Sequence, residues 1–433
     1  MSNVSFEELT MRDDFEYQVY VSRQLRKTSE IFSLDQSQII SGVIKKQGNK
    51  IYLQVNGSLL NGDDAESGGI PIYEELGTEE NFGTLYASSW DNLTHFIIRR
   101  YRGINWSQNL NYNVTSYGPN VDYLVTEMSI ASQLMLKEKV EEANYYFDHI
   151  HSWFHLFNPN VEWKTNSKDL FEIKNINFEG VEFKIILQGN VWECGNLSKV
   201  ERYAQSFIKV KFDKPQTRET VFNIGIQIRN FFQMILNREV GLYQIVLNKD
   251  ESFEEKQLTP EDYRENYFIS QSYLPKISVK ENKSFEITYN SIQNRLNKII
   301  LNFFENKKLQ DFVERFLIVK QYKMPIAPIL LTISSGVESY LSDLTYEDGR
   351  IVKDFLKKLN VVFHGSIHSN EETENIVKII KDNRDYYTHS DKQDRRLREI
   401  ELIPIVNQFI DTTNKFILNE VLLKTDWLHG NKS

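Results

Sequence analysis

Ten residues near the C-terminal end of the 433-residue chain, Asp382-Asn383-Arg384-Asp385-Tyr386-Tyr387-Thr388-His389-Ser390-Asp391, carry the side chains best suited to chemistry. Arg384 keeps its charge at any physiological pH and offers a planar fork of donors that fits phosphate oxygens. Histidine is the side chain suited to taking or giving a proton near neutral pH, and His389 supplies one. Together they suit cleavage of a phosphodiester whose own neighbouring hydroxyl is the nucleophile, and RNA carries such a hydroxyl. That reaction wants a base, an acid and a cation beside phosphorus, and no metal. On one helix, residues five apart point about 140° away from each other. One copy of the pair is therefore incomplete, and two copies facing across a dimer would supply what is missing. A structural alternative stands beside this: cationic side chains at a helix end also complement the helix dipole.

The elements that must position the pair are helical. Glu372 to Thr388 shows helical spacing through Ile376, Val377, Ile379 and Ile380, and it carries the motif. Helices are also predicted over Ile292–Phe304, Leu309–Gln321, Pro328–Leu341, Lys353–Leu359 and Leu397–Leu422. Pro404 either kinks the last of these or marks its start. Short connections between such helices imply an antiparallel bundle. Glu338 lies on the otherwise apolar helix Pro328–Leu341, where it either pairs with Arg384 or faces water.

Upstream the pattern is β-rich. Gln38–Val43 and Lys50–Val55 read as a hairpin about Lys46–Asn49, where Gly48 supplies a positive φ. Strand patterns recur over Thr84–Ser88, Val121–Ser129, Val181–Leu187, Glu201–Asp213 and Val240–Leu247, with a mixed segment at Leu93–Arg102. Met1–Tyr20 reads as a polar lead-in, Asn61–Gly69 as a solvated acidic loop, and Thr217–Asn237 as a helix. The aromatic-dense stretch Tyr145–His155 also has helical spacing. It sets His151 and His155 four apart, a spacing zinc could use. No metalloprotease glutamate or cysteine accompanies them, so aromatic packing is the expectation. The fold class is α+β: a β-rich N-terminal region with inserted helices, then an all-α bundle. The expected units are 1–275, with an internal boundary near 160, and 285–433.

Composition narrows the function classes. Charged residues at 26% and hydrophobic residues at 40% are globular values. A net charge of −9 argues against a bulk nucleic-acid binder, so any RNA contact should be local. A single cysteine, Cys194, excludes an intrachain disulfide framework and suits a reducing cytoplasm. There is no apolar leader, no stretch long enough to span a membrane, no Gly-rich phosphate loop and no nucleophile elbow.

Arg384-x4-His389 matches the R-x4-6-H motif of HEPN-domain ribonucleases, in which a polar residue, most often Asn, follows the arginine. Asp385 fills that place. With the β-rich region holding Phe207-Ile208-Lys209-Val210 and the helix through Phe231-Phe232, the chain resembles the ApeA family of prokaryotic anti-phage proteins. That resemblance spans nearly the whole chain. It implies an HEPN bundle and a metal-independent endoribonuclease that cleaves cellular RNA, such as tRNA, in abortive infection, with no cofactor. It implies Arg384, His389 and Asp385 as catalytic residues and a homodimer formed through the bundle. The N-terminal region would sense a trigger, such as a phage-derived protein. Around the motif, Tyr387 and Thr388, with Arg395 and Arg396, are candidates for RNA contact. His364 and His368 read as exposed and idle. The alternatives are a non-catalytic HEPN protein that binds nucleotide or a partner chain, and a ligand-binding β-domain with a helical dimerisation module.

Overall fold

The computed structural model describes residues 9–28, 31–56, 83–107, 120–134, 139–154, 168–196, 199–248, 265–276, 284–346, 349–364, 371–389 and 396–423. The Asn61–Gly69 loop, the boundary near 160, His155, His368 and Arg395 lie outside these, as does the side chain of His364.

The described residues form the strands β1 (Phe15–Ser22), β2 (Leu25–Thr28), β3 (Ile31–Leu34), β4 (Ile40–Gln47), β5 (Lys50–Asn56), β6 (Leu85–Ser89), β7 (His95–Ser107), β8 (Asn120–Ala131), β9 (Val140–Phe147), β10 (Lys168–Phe178), β11 (Val181–Asn196), β12 (Lys199–Gln216), β13 (Leu242–Asn248) and β14 (Glu265–Ile269). All but β2 and β3 join one antiparallel sheet. In it β8 pairs with β5 through its first half, with β14 through its second half, and with β7 along its other edge. The ring β8-β5-β4-β1-β6-β7 therefore closes on itself as a barrel, and β14-β13-β9-β12-β11-β10 continue from β8 as an open sheet.

The β4–β5 hairpin falls where the sequence places it. Gln47 pairs with Lys50 across a two-residue turn, and Gly48 takes φ +56° there. The polar lead-in is corrected, because it contains β1. There Val19 and Val21 face the barrel core while Glu16, Gln18 and Tyr20 alternate outward. The mixed segment Leu93–Arg102 belongs to the long strand β7. Tyr145–His155 is likewise not one helix. Ala143, Tyr145 and Phe147 point inward on β9, His149 turns the chain at φ +65°, and only Ile150–Phe154 (α1) is helical.

Helix α2 (Arg218–Leu236) carries both of its predicted ends. The Thr217 side chain accepts from the Thr220 amide, and Asn237 closes the helix in the left-handed region. It lies on the open sheet, and the buried Tyr145 hydroxyl donates to the Val221 carbonyl at 2.7 Å.

From Tyr289 onward the assigned elements are helical: α3 (Tyr289–Ile292), α4 (Leu296–Glu305), α5 (Lys307–Gln321), α6 (Ile326–Tyr340), α7 (Phe355–His364), α8 (Glu371–His389) and α9 (Glu399–Val421). Their shared core includes Phe312, Phe316, Ile333, Val337, Phe363, Ile380 and Phe409, all buried. A Cβ at Gly336 would stand 2.7 Å from the Phe312 ring, so glycine permits the close α5–α6 approach. The bundle is not detached from the sheet. Phe304 on α4 meets Phe178 and Phe183, and Phe303 meets Phe231 on α2. Polar pairs extend this seam: Gln321 with Gln233, and Lys320 and Asn414 with Asn237. Pro404 neither starts nor interrupts α9, which begins at Glu399. No described helix is long and apolar enough to cross a membrane.

Candidate functional site

Helix α8 runs without a break from Glu371 to His389, so Arg384 and His389 leave it on different sides. Its buried stripe runs through Ile376, Ile380 and Asn383, with Tyr387 partly buried against the same core. Asn383 is a polar residue on a core face, and its amide is used at both ends. Its Nδ2 donates to the Ile379 carbonyl at 2.9 Å, and its Oδ1 accepts from the Leu397 amide at 3.1 Å. The second bond pins the approach to α9 against α8. Asn383→Ala would leave the Leu397 N–H without that acceptor and should destabilise the chain by about 1–3 kcal/mol. The check is a lower denaturation midpoint with unchanged m-value.

Arg384 is half-buried and tightly held. Its Nη2 donates to Glu338 Oε2 at 2.6 Å, and its Nη1 donates to Asp385 Oδ1 at 3.1 Å. The guanidinium also lies over the Phe355 ring, 5.0 Å from its centroid. Of the two possibilities for Glu338, pairing with Arg384 is the one observed. Asp385 further accepts from Lys381 Nζ at 3.0 Å. Partial burial pushes the Asp385 pKa up, but the hydrogen bonds and charges of Lys381 and Arg384 outweigh it and hold the carboxyl below its ordinary value. Its stabilising contribution is thus present above the unfolded carboxyl range and is lost as pH falls through the lower folded value.

His389 ends α8 and is exposed. Thr388 is exposed too, and its hydroxyl donates back to the Arg384 carbonyl at 2.8 Å. Arg396 returns to the motif. Its Nη1 donates to the Tyr386 hydroxyl at 3.0 Å, and its guanidinium lies 4.9 Å from the Tyr386 ring centroid and 6.0 Å from that of Tyr387. One chain thus gathers Arg384, Asp385, Glu338 and Arg396 about the second half of α8, while the helix turns His389 away from Arg384.

Lys381, Asn383 and Phe355 were not singled out by sequence. Two of them left a signal there: Lys381 stands four residues before Asp385, and Asn383 interrupts the apolar stripe of α8. At the other histidines, His151 Nδ1 lies 3.0 Å from the Ser206 hydroxyl, and His95 is buried with Nδ1 2.8 Å from the Ser88 hydroxyl. Among the described residues no three His, Cys, Asp or Glu side chains converge as a metal ion would require.

A barrel and open sheet are followed by a helical bundle that carries an arginine and a histidine on one helix. Comparison with known families gives the class. The model of ApeA N-terminal domain 1 matches residues 30–303, and the Apea-like HEPN model matches residues 333–426. The first alone covers more than half of the chain, which therefore belongs to the ApeA family. Its C-terminal region is an HEPN domain that contains Glu338, Arg384 and His389. HEPN domains are typically ribonucleases, and this membership supports a nuclease-type role in defence. No curated protein matches the sequence.

Proposed function

We propose that the chain is a metal-independent HEPN endoribonuclease that cleaves cellular RNA, such as tRNA, in abortive anti-phage defence. The observation that supports this best is the placement of Arg384 and His389 on one helix of the matched HEPN domain, with the arginine anchored and the histidine open to solvent. In this mechanism the ribose 2′-oxygen attacks phosphorus and the bond from phosphorus to the 5′-oxygen breaks. A histidine takes the 2′ proton, and a second proton donor protonates the leaving 5′-oxygen. Arg384 stabilises the extra charge on the non-bridging oxygens, and Asp385 fixes the guanidinium plane. Tyr387, Thr388 and Arg396 flank the strand, and Arg395 is a further candidate for phosphate contact by its place in the sequence. The products are a 2′,3′-cyclic phosphate and a free 5′-hydroxyl.

Residues 1–275 act as sensor or restraint, answering to a phage-derived protein, and residues 285–433 act as effector. The active unit is a cytoplasmic homodimer formed through the bundle. The test is chemical. RNA incubated with the purified protein in excess EDTA should be cut, with 5′ ends that accept phosphate from a polynucleotide kinase without prior dephosphorylation. Cleavage only after added magnesium, or products that already carry 5′-phosphates, would refute the internal-nucleophile mechanism.

A further inference from the structure

The guanidinium of Arg384 is already occupied by carboxylates, and this bears on how the site would be controlled. A phosphate engages arginine through a pair of parallel N–H donors, and each of the two protons on Nη2 belongs to one such pair, so a carboxylate on Nη2 takes one of the two pairs. Here Nη2 donates to Glu338 at 2.6 Å and Nη1 to Asp385 at 3.1 Å, while the Phe355 ring covers one face. The charges also cancel: Arg384 and Lys381 are matched by Glu338 and Asp385 within one hydrogen-bonded chain. A phosphodiester that approached Arg384 would meet two carboxylates already paired with it.

One of the two acids is better placed to yield. Asp385 is adjacent in sequence, has a 17% exposed side chain, and is tied to Lys381 on the same helix. Glu338 reaches Arg384 from α6, and its side chain is 35% exposed. Its backbone carbonyl is held separately by Lys358 Nζ at 3.2 Å, so the carboxylate can swing while the helix stays in place. Without Glu338, Arg384 keeps its Asp385 bond and its seat on Phe355. The Asp385 bond and the Phe355 face are two further holds on the arginine besides Glu338.

We infer that Glu338 stands where a substrate phosphate would sit on Arg384, so that the structure shows a self-masked state of the site, relieved when the α6 carboxylate lets go. This rests on the ribonuclease reading for the identity of the substrate, but the masking can be read without catalysis. The helices α6 and α8 bring the two residues together, so any partner or second copy that shifts one helix against the other would act on this contact.

The test uses the full chain with His389→Ala, so that labelled single-stranded RNA is bound and not cut. Adding Glu338→Gln, which keeps size and an acceptor but removes the charge, should tighten binding by up to about fivefold, the worth of a part-exposed ion pair of roughly 1 kcal/mol. Adding Arg384→Ala as well should erase that gain. In the otherwise native chain, Glu338→Gln should raise the rate of RNA cleavage in the same proportion. Binding that is unchanged or weaker with Glu338→Gln, or a gain that survives Arg384→Ala, overturns the masking. A positioning role for Glu338 would instead show as weaker binding together with slower cleavage. If the binding gain appears but the native chain never cuts RNA, the masking stands and the ribonuclease assignment falls.

Discussion

His389→Ala should abolish RNA cleavage, and with it any growth arrest on expression, while leaving the fold as stable as the parent. The two halves of this expectation come from different observations. His389 is exposed at the last position of α8, and no described residue hydrogen-bonds its ring, so truncation removes no packing and no buried partner. Surface changes of that kind cost at most about 0.5 kcal/mol. The chemical half comes from proton transfer. A positioned general acid or base contributes about 10²–10⁴-fold in rate, and the motif offers no other histidine. Initial rates on a defined RNA, measured beside thermal melts of both proteins, give the answer. A variant that melts normally and cuts as fast as the parent would remove His389 from the mechanism.

The helices were legible because their signals are local. Thr217 and Asn237 mark α2 by their own chemistry as caps, and the apolar spacing of Ile376, Val377 and Ile380 gives α8 its buried face. The barrel was not legible, because closure depends on β8 pairing along both edges with strands far away in sequence. Short apolar runs fit both periods: Phe147, Ile150 and Phe154 satisfy a helical spacing, yet Phe147 lies on β9. Within the site, sequence named Arg384, Asp385 and His389 and left Glu338 between two roles. It could not show that carboxylates fill the arginine, since that depends on how α6 lies against α8. Nor could it show that Asn383, beside the motif, ties α8 to the start of α9.

The second large effect concerns the active unit. Each chain offers one His389, but in-line cleavage wants a proton acceptor on one side of phosphorus and a donor on the other. Because α8 is unbroken, Arg384 and His389 are turned about 140° apart and separated by roughly 7 Å along the axis. A single copy would then lack one of these groups, and a second copy related by a twofold axis would supply it. The surface beside the motif suits such a neighbour: Ile400 and Ile403, at the start of α9, are 74% and 40% exposed and continue as one stripe with Pro404. Two copies of Arg384 brought together would repel, and the pairing of each with Glu338 and Asp385 would relieve that repulsion until a phosphate took the place of Glu338. Mixing parental chain with His389→Ala chain under conditions that exchange subunits separates the cases. If one site needs both motifs, an equal mixture should retain about one quarter of the parental activity, because only parental homodimers work. If each motif works alone, about one half remains and activity falls linearly with the variant fraction. A linear fall, or full activity from a chain shown by sedimentation to be monomeric while it cuts, would overturn the shared site.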